Sequence, residues 1–220
     1  MTALARPPAE LREPIPAEQH LTLGAVDWED YQAIAQALTG RHVRLTYDRG
    51  RLEFMTISGT HGNLSRLFGR LIAALTEELG LAMRSFGDMT CDNESALRGL
   101  EPDECFYLHN EPLVRGKDDI DLTVDPPPDL AIEIELSKAR RNRMGIYAAL
   151  EIPEVWRFNG QQLTVNQLSS DGNYSVCDRS RYFPKIPVAE LVRFIEMRTQ
   201  TDENSLLRSF REWVHAQSSS

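Results

Sequence analysis

The stretch PPPDLAIEIELS, Pro126 to Ser137, constrains the fold of this chain more than any other. Three prolines cannot sit inside a regular element, so they mark an entry point. After them Leu130, Ile132, Ile134 and Leu136 alternate with Ala131, Glu133, Glu135 and Ser137. That period of two predicts a strand with four aliphatic side chains on one face and Glu133 and Glu135 together on the other, about 7 Å apart. Two carboxylates on one face repel unless positive charge lies between them, and a divalent cation is the simplest candidate. The alternative is an edge strand whose Glu residues meet only water, a common way of blunting a sheet edge. On this stretch alone both readings stay open.

With 220 residues the chain has room for one sizeable core, and two full domains would be tight. Its composition, 41% hydrophobic and 26% charged, is that of a globular protein and excludes a fibrous or generally disordered class. No apolar run approaches the length of a membrane span, and the N-terminal MTALARPPAELREPIPAEQH has no signal-type apolar core, so a soluble, cytoplasmic protein is expected. Cys91, Cys105 and Cys177 are odd in number and widely spaced, which argues against a disulfide framework and a thiolate zinc site. A net charge of −9 disfavours a nonspecific nucleic-acid coat but leaves room for an acidic metal cleft rimmed by local basic residues.

Read in order, residues 1 to about 20 form an arm rich in Pro, Ala and Glu. Asp27 then caps a helix carrying Trp28, Tyr31, Ile34 and Leu38. A hairpin follows, His42 to Tyr47 and Arg51 to Ile57, turning at Asp48 to Gly50. The longest helix is expected from His61 to about Leu79, with Leu64, Leu67, Phe68, Leu71, Ile72 and Leu75 on one face. His61, in its first turn, faces either a site or solvent, and a lone histidine there is more commonly surface. One or two short strands up to Cys91 and a loop from Asp92 to Gly99 lead to a strand at Cys105 to Leu108, begun by the acidic group Glu101, Asp103 and Glu104. Beyond Ser137 come a short basic segment and a helix through Tyr147 that Pro153 ends, then strands at Val155 to Phe158, Leu163 to Leu168 and Tyr174 to Cys177. Two amphipathic helices, around 188–196 and 205–215, close the chain. The expected class is α/β (α+β): a central mixed sheet flanked by helices, with the long helix on one face.

Several motifs occur in register: GRLEFM before the long helix, THG at its start, then LEPDECFY, PPDLAIEIE and IYAALEIPEVWRF. With these the chain resembles the bacterial Uma-type family, described as restriction endonucleases of the PD-(D/E)XK nuclease superfamily. The similarity runs from about Tyr47 to Phe158. It implies a restriction-endonuclease-like domain over residues 21–200, followed by a C-terminal helix and polar tail at 201–220. It also implies a metal-dependent DNA endonuclease using Mg2+ (or Mn2+), cytoplasmic and able to act as a homodimer.

By this resemblance Asp103 and Glu133 are metal ligands, with Glu135 an additional or outer carboxylate. Hard cations of this kind prefer carboxylate oxygens, stabilise charge on the phosphate and lower the pKa of an attacking water. The third role departs from the superfamily pattern: Glu135 stands where Glu-x-Lys would have Lys. The family's alternative lysine, four residues before the Tyr of IYAAL, is here Arg143, which keeps the charge but cannot serve as a base. Thr60 stands where relatives often have Glu. Arg143 is thus read as the phosphate or transition-state stabiliser, and Lys138, Arg140 and Arg141 as nucleic-acid contacts. The competing reading is a catalytically impaired nuclease-fold module that binds nucleic acid or a protein partner.

Overall fold

The structure, a computed structural model, describes residues 18–137 and 143–218. In chain order its first half comprises β1 His20–Gly24, α1 Trp28–Leu38, β2 Val43–Asp48, β3 Arg51–Thr56, α2 Gly59–Glu78, β4 Arg84–Gly87, β5 Cys91–Asn93, β6 Arg98–Leu100 and β7 Glu104–Tyr107. The second half comprises α3 Glu111–Val114, β8 Leu130–Ile134, α4 Arg143–Ala149, β9 Glu154–Phe158, β10 Leu163–Leu168, β11 Tyr174–Cys177, α5 Leu191–Met197 and α6 Glu203–Ser218. Among the described residues no helix is long and apolar enough to cross a membrane.

The hairpin β2–β3 does not join the mixed sheet. It is the middle of a separate antiparallel sheet, ordered β1-β3-β2-β6-β5. Alternation along VRLTYD and RLEFMT explains why that sheet has two distinct faces. Leu45, Tyr47 and Leu52 point one way and are buried with Val26 and Tyr31, the latter stacked on Tyr47 at 4.6 Å between ring centroids. Helix α1 supplies Tyr31 and starts where the Asp27 carboxylate accepts the Asp30 N–H at 2.9 Å. Arg44, Thr46 and Glu53 point the other way, and all three are nonetheless buried.

The segment expected as a loop, Asp92 to Gly99, holds parts of β5 and β6, paired Asp92↔Gly99 and Asn93↔Arg98. These strands are too short and polar to show alternation in sequence, and they form because β6 also pairs with β2, Tyr47↔Gly99. Gly99 is required there by close approach: a Cβ at that position would lie 2.3 Å from the Tyr31 hydroxyl oxygen and 2.9 Å from Asp92 Cβ.

The mixed sheet is ordered β11-β10-β9-β8-β7-β4, with β8 antiparallel to β7 and parallel to β9. The alternating stretch therefore lies inside the sheet, which overturns the edge-strand reading. Leu130, Ile132 and Ile134 enter a core with Leu64, Leu67, Phe68 and Leu71 of α2, and Leu206, Phe210 and Val214 of α6 belong to the same core. On the opposite face Ala131 and Val155 meet Ile146 and Tyr147 of α4, a cluster that also contains Cys91 and Leu100 of the other sheet. Helix α4 thus sits between the two sheets, and the polar face of one looks across at Glu133 of the other.

Gly99→Ala is expected to destabilise the protein by about 1–3 kcal/mol, because an added methyl in a filled space forces its neighbours to move. Urea unfolding followed by tryptophan fluorescence checks this; unchanged stability would show that Tyr31 yields freely.

Candidate functional site

Two acidic residues meet across β7 and β8. Asp103 immediately precedes β7, and its N–H donates to Ile132 O at 3.1 Å, so it is tied to β8 by backbone before its side chain is considered. One carboxylate oxygen, Oδ2, accepts the Ile134 N–H at 2.7 Å. The other, Oδ1, lies 2.6 Å from His61 Nε2, with the Arg44 guanidinium further off at 3.8 Å. Ser65 fixes the same corner by donating to Asp103 O at 2.8 Å.

Glu133 is held in a parallel way. Its Oε2 accepts the Tyr147 hydroxyl at 2.6 Å and an Arg143 Nη2–H at 3.0 Å, while Oε1 forms an ion pair with Arg143 Nε at 2.6 Å. Each carboxylate therefore has one oxygen held by a neutral donor, and in Glu133 the guanidinium of Arg143 reaches both oxygens. Arg143, the first residue of α4, also donates to Glu101 O at 2.8 Å and to the Thr46 hydroxyl. It therefore touches both sheets.

Burial makes this charge costly. It pushes the Glu133 carboxyl above the usual range, opposed by Arg143 and reinforced by Asp103. Burial likewise raises Glu101, and it raises Glu104 to about 7. Burial also works against a charged His61, but hydrogen bonds to Asp103 and to Glu18, whose Oε1 lies 2.7 Å from His61 Nδ1, outweigh it and lift the imidazole to about 9. Arg143 stays charged beside Glu133 although it is buried.

Asp103, Glu133 and Arg143, singled out in sequence, are thus brought together. Glu135 lines the same cavity, but its carboxylate accepts three hydrogen bonds from Arg157 at 2.8–3.1 Å. Lys138, Arg140 and Arg141 lie outside the described residues. His61, read as more commonly surface, is fully buried: it lies three residues before Leu64 and seven before Phe68, on the apolar stripe of α2. That spacing is the signal that could have placed it. No motif in the sequence assigns Glu18, at the end of the arm, or Glu53, Thr46 and Arg44 on the hairpin to the site. Only the alternation of the hairpin hinted at a buried polar face.

A profile of the family described as "Uma2: Putative restriction endonuclease" matches residues 28–197. Among solved structures, one described as a "putative nuclease belonging to DUF820" from Anabaena variabilis ATCC 29413 is similar, at 14% identity and a TM-score of 0.42, covering 77% of this chain and 90% of that one. No curated protein matches.

Arg143→Ala is expected to cost about 3–5 kcal/mol, since it leaves Glu133 buried with an uncompensated charge. Adding Glu133→Gln to it should recover part of that loss. Denaturant unfolding of the single and double variants checks this, and a strictly additive pair would show that the two side chains are not coupled.

Proposed function

Because the chain belongs to the Uma2 family of restriction endonucleases, we propose that it is a metal-dependent nuclease that hydrolyses phosphodiester bonds of DNA at Asp103 and Glu133. The observation that carries the reading is the pairing of two buried carboxylates on adjacent strands, each with one oxygen fixed and one turned to positive charge.

The residues suit Mg2+ in chemistry. All the donors are hard oxygens. Among the described residues no group of three His, Cys, Asp or Glu is arranged to hold an ion by itself. Mg2+ does not need such a cage, because it commonly takes one or two carboxylates and completes its shell with water and substrate phosphate. Asp103 and Glu133 would hold it. When bound, the ion supplies charge stabilisation at the phosphate and a more acidic water.

The protein's own part is positioning and charge. Ile134 N–H and Tyr147 O–H fix the two carboxylates so that little reorganisation is needed. Arg143 remains protonated and cannot take a proton from water, so its role is to stabilise negative charge developing on the phosphate. Its fork already spans Glu133, Glu101 O and Thr46, and a phosphate oxygen would compete for the same N–H groups.

A second reading follows from the same contacts. Arg143 and His61 already balance Glu133 and Asp103, so the fold is complete in charge without an ion, as suits a module that binds and does not cut.

Nicking of supercoiled plasmid separates the two. The nuclease reading expects cleavage with Mg2+ or Mn2+, reduced by at least about 100-fold in Glu133→Ala, and reduced but not abolished in Arg143→Lys. Absence of cleavage in the wild type, with cleavage gained in Arg143→Lys, would establish the binding module instead.

A further inference from the structure

The site poses an access problem. Asp103 is 3% exposed and Glu133 is 4% exposed, so no polynucleotide backbone reaches them in this arrangement. The segment just before and into β1 lies over them. One Glu18 oxygen lies 2.7 Å from His61 Nδ1, and the other accepts the Ser137 hydroxyl. His20 lies 2.9 Å from Glu53 Oε1 through Nδ1 and 3.1 Å from Ser137 Oγ through Nε2. Glu18, His20, Glu53, Glu133 and Arg143 line one cavity.

Both nitrogens of His61 face carboxylate oxygens, Glu18 on one side and Asp103 on the other. The Glu18 carboxylate is thus held by the His61 ring at Nδ1 and by the Ser137 hydroxyl, with His61 standing between it and the proposed metal ligand Asp103. Those are the donors that recognise a phosphate oxygen.

The strand that carries this anion is weakly held. Among the described residues β1 is an edge strand paired only with β3, and residues 21–24 are exposed, including Leu21 at 59% and Leu23 at 40%. It buries little apolar surface, so its attachment depends on the ladder with β3 and on the polar anchors at Glu18 and His20. Few buried apolar contacts and an exposed ladder are the marks of a segment that opens locally.

We propose that Glu18 stands in for a backbone phosphate of the substrate: His61 Nδ1 and Ser137 Oγ form a phosphate subsite beside Asp103, and β1 peels from β3 when a phosphodiester displaces the Glu18 carboxylate. The exchange replaces one single negative charge with another, so it adds no uncompensated charge to the buried seam. It also opens the side of the cavity through which Glu133 can be reached. The inference rests on the nuclease reading.

The test is binding of a fluorescently labelled DNA duplex by anisotropy, without divalent metal and again with Ca2+, together with amide hydrogen exchange of the wild type with and without that duplex. Glu18→Ala is expected to bind at least about tenfold tighter than wild type, and adding Ser137→Ala to it to weaken binding about three- to tenfold. In the wild type, the β1 amides are expected to lose protection when DNA is added. Glu18→Ala binding no tighter than a wild type that does bind DNA, or β1 protection that holds or rises on binding, would overturn the stand-in while leaving the nuclease reading intact. Should Glu18→Ala fail to fold, the exchange measurement on the wild type decides alone. If neither protein binds DNA under either condition, the nucleic-acid reading falls and takes the subsite with it.

Discussion

Arg143 is the contact on which the rest depends. Its guanidinium reaches Glu133 on β8, the Glu101 carbonyl directly after β6 and the Thr46 hydroxyl on β2, so one side chain ties the mixed sheet to the antiparallel one. Among the described residues the two sheets share no strand pairing. What joins them near the site is α4, with its apolar contacts to both, and the ion pair at its first residue. A buried pair of this kind contributes little net stability against a well-packed apolar alternative, but removing one partner is expensive. Its value here is geometric: it sets the distance and orientation between two polar faces that would otherwise repel.

That arrangement gives the seam its chemistry. Sheet alternation puts Arg44, Thr46 and Glu53 on one side, and strand β8 puts Glu133 on the other, with Asp103 at the junction. The result is a concentration of carboxylates whose burial raises several of them, partly offset by Arg143, His61 and Arg44. Natural proteins retain such costly polar clusters mostly where they are used. In a nuclease the use is to receive a cation and a phosphate, and the placement of Glu18 on His61 suggests how the phosphate position is kept filled at rest.

Much of this was legible in the sequence, for a definite reason. The strand with Glu133, the hairpin and the long helix α2 announce themselves through periods of two and three to four, which are local properties. The adjacency of Asp103 and Glu133 came from the family resemblance and not from periodicity. What could not be read was long-range. Nothing local tells that the hairpin forms its own sheet, because its pairing with β6 depends on a strand whose sequence, Arg-Gly-Leu, carries no signal. Alternation groups Glu135 with Glu133, and both line one cavity, but no local pattern tells that Arg157 from the neighbouring β9 takes the Glu135 carboxylate. Glu18 belonged to a stretch read as an arm, and its contacts, with His61 forty-three residues on and with Ser137, are made only in the folded chain.

The central claim is that Asp103 and Glu133 together receive one divalent ion. A crystal grown with Mn2+ and a short DNA duplex tests it through the anomalous signal of the metal. The account predicts a single peak between the Asp103 and Glu133 carboxylates, with Arg143 moved off Glu133 Oε1 toward a phosphate. A peak elsewhere, or DNA bound with both carboxylates still closed on His61 and Arg143, would contradict it.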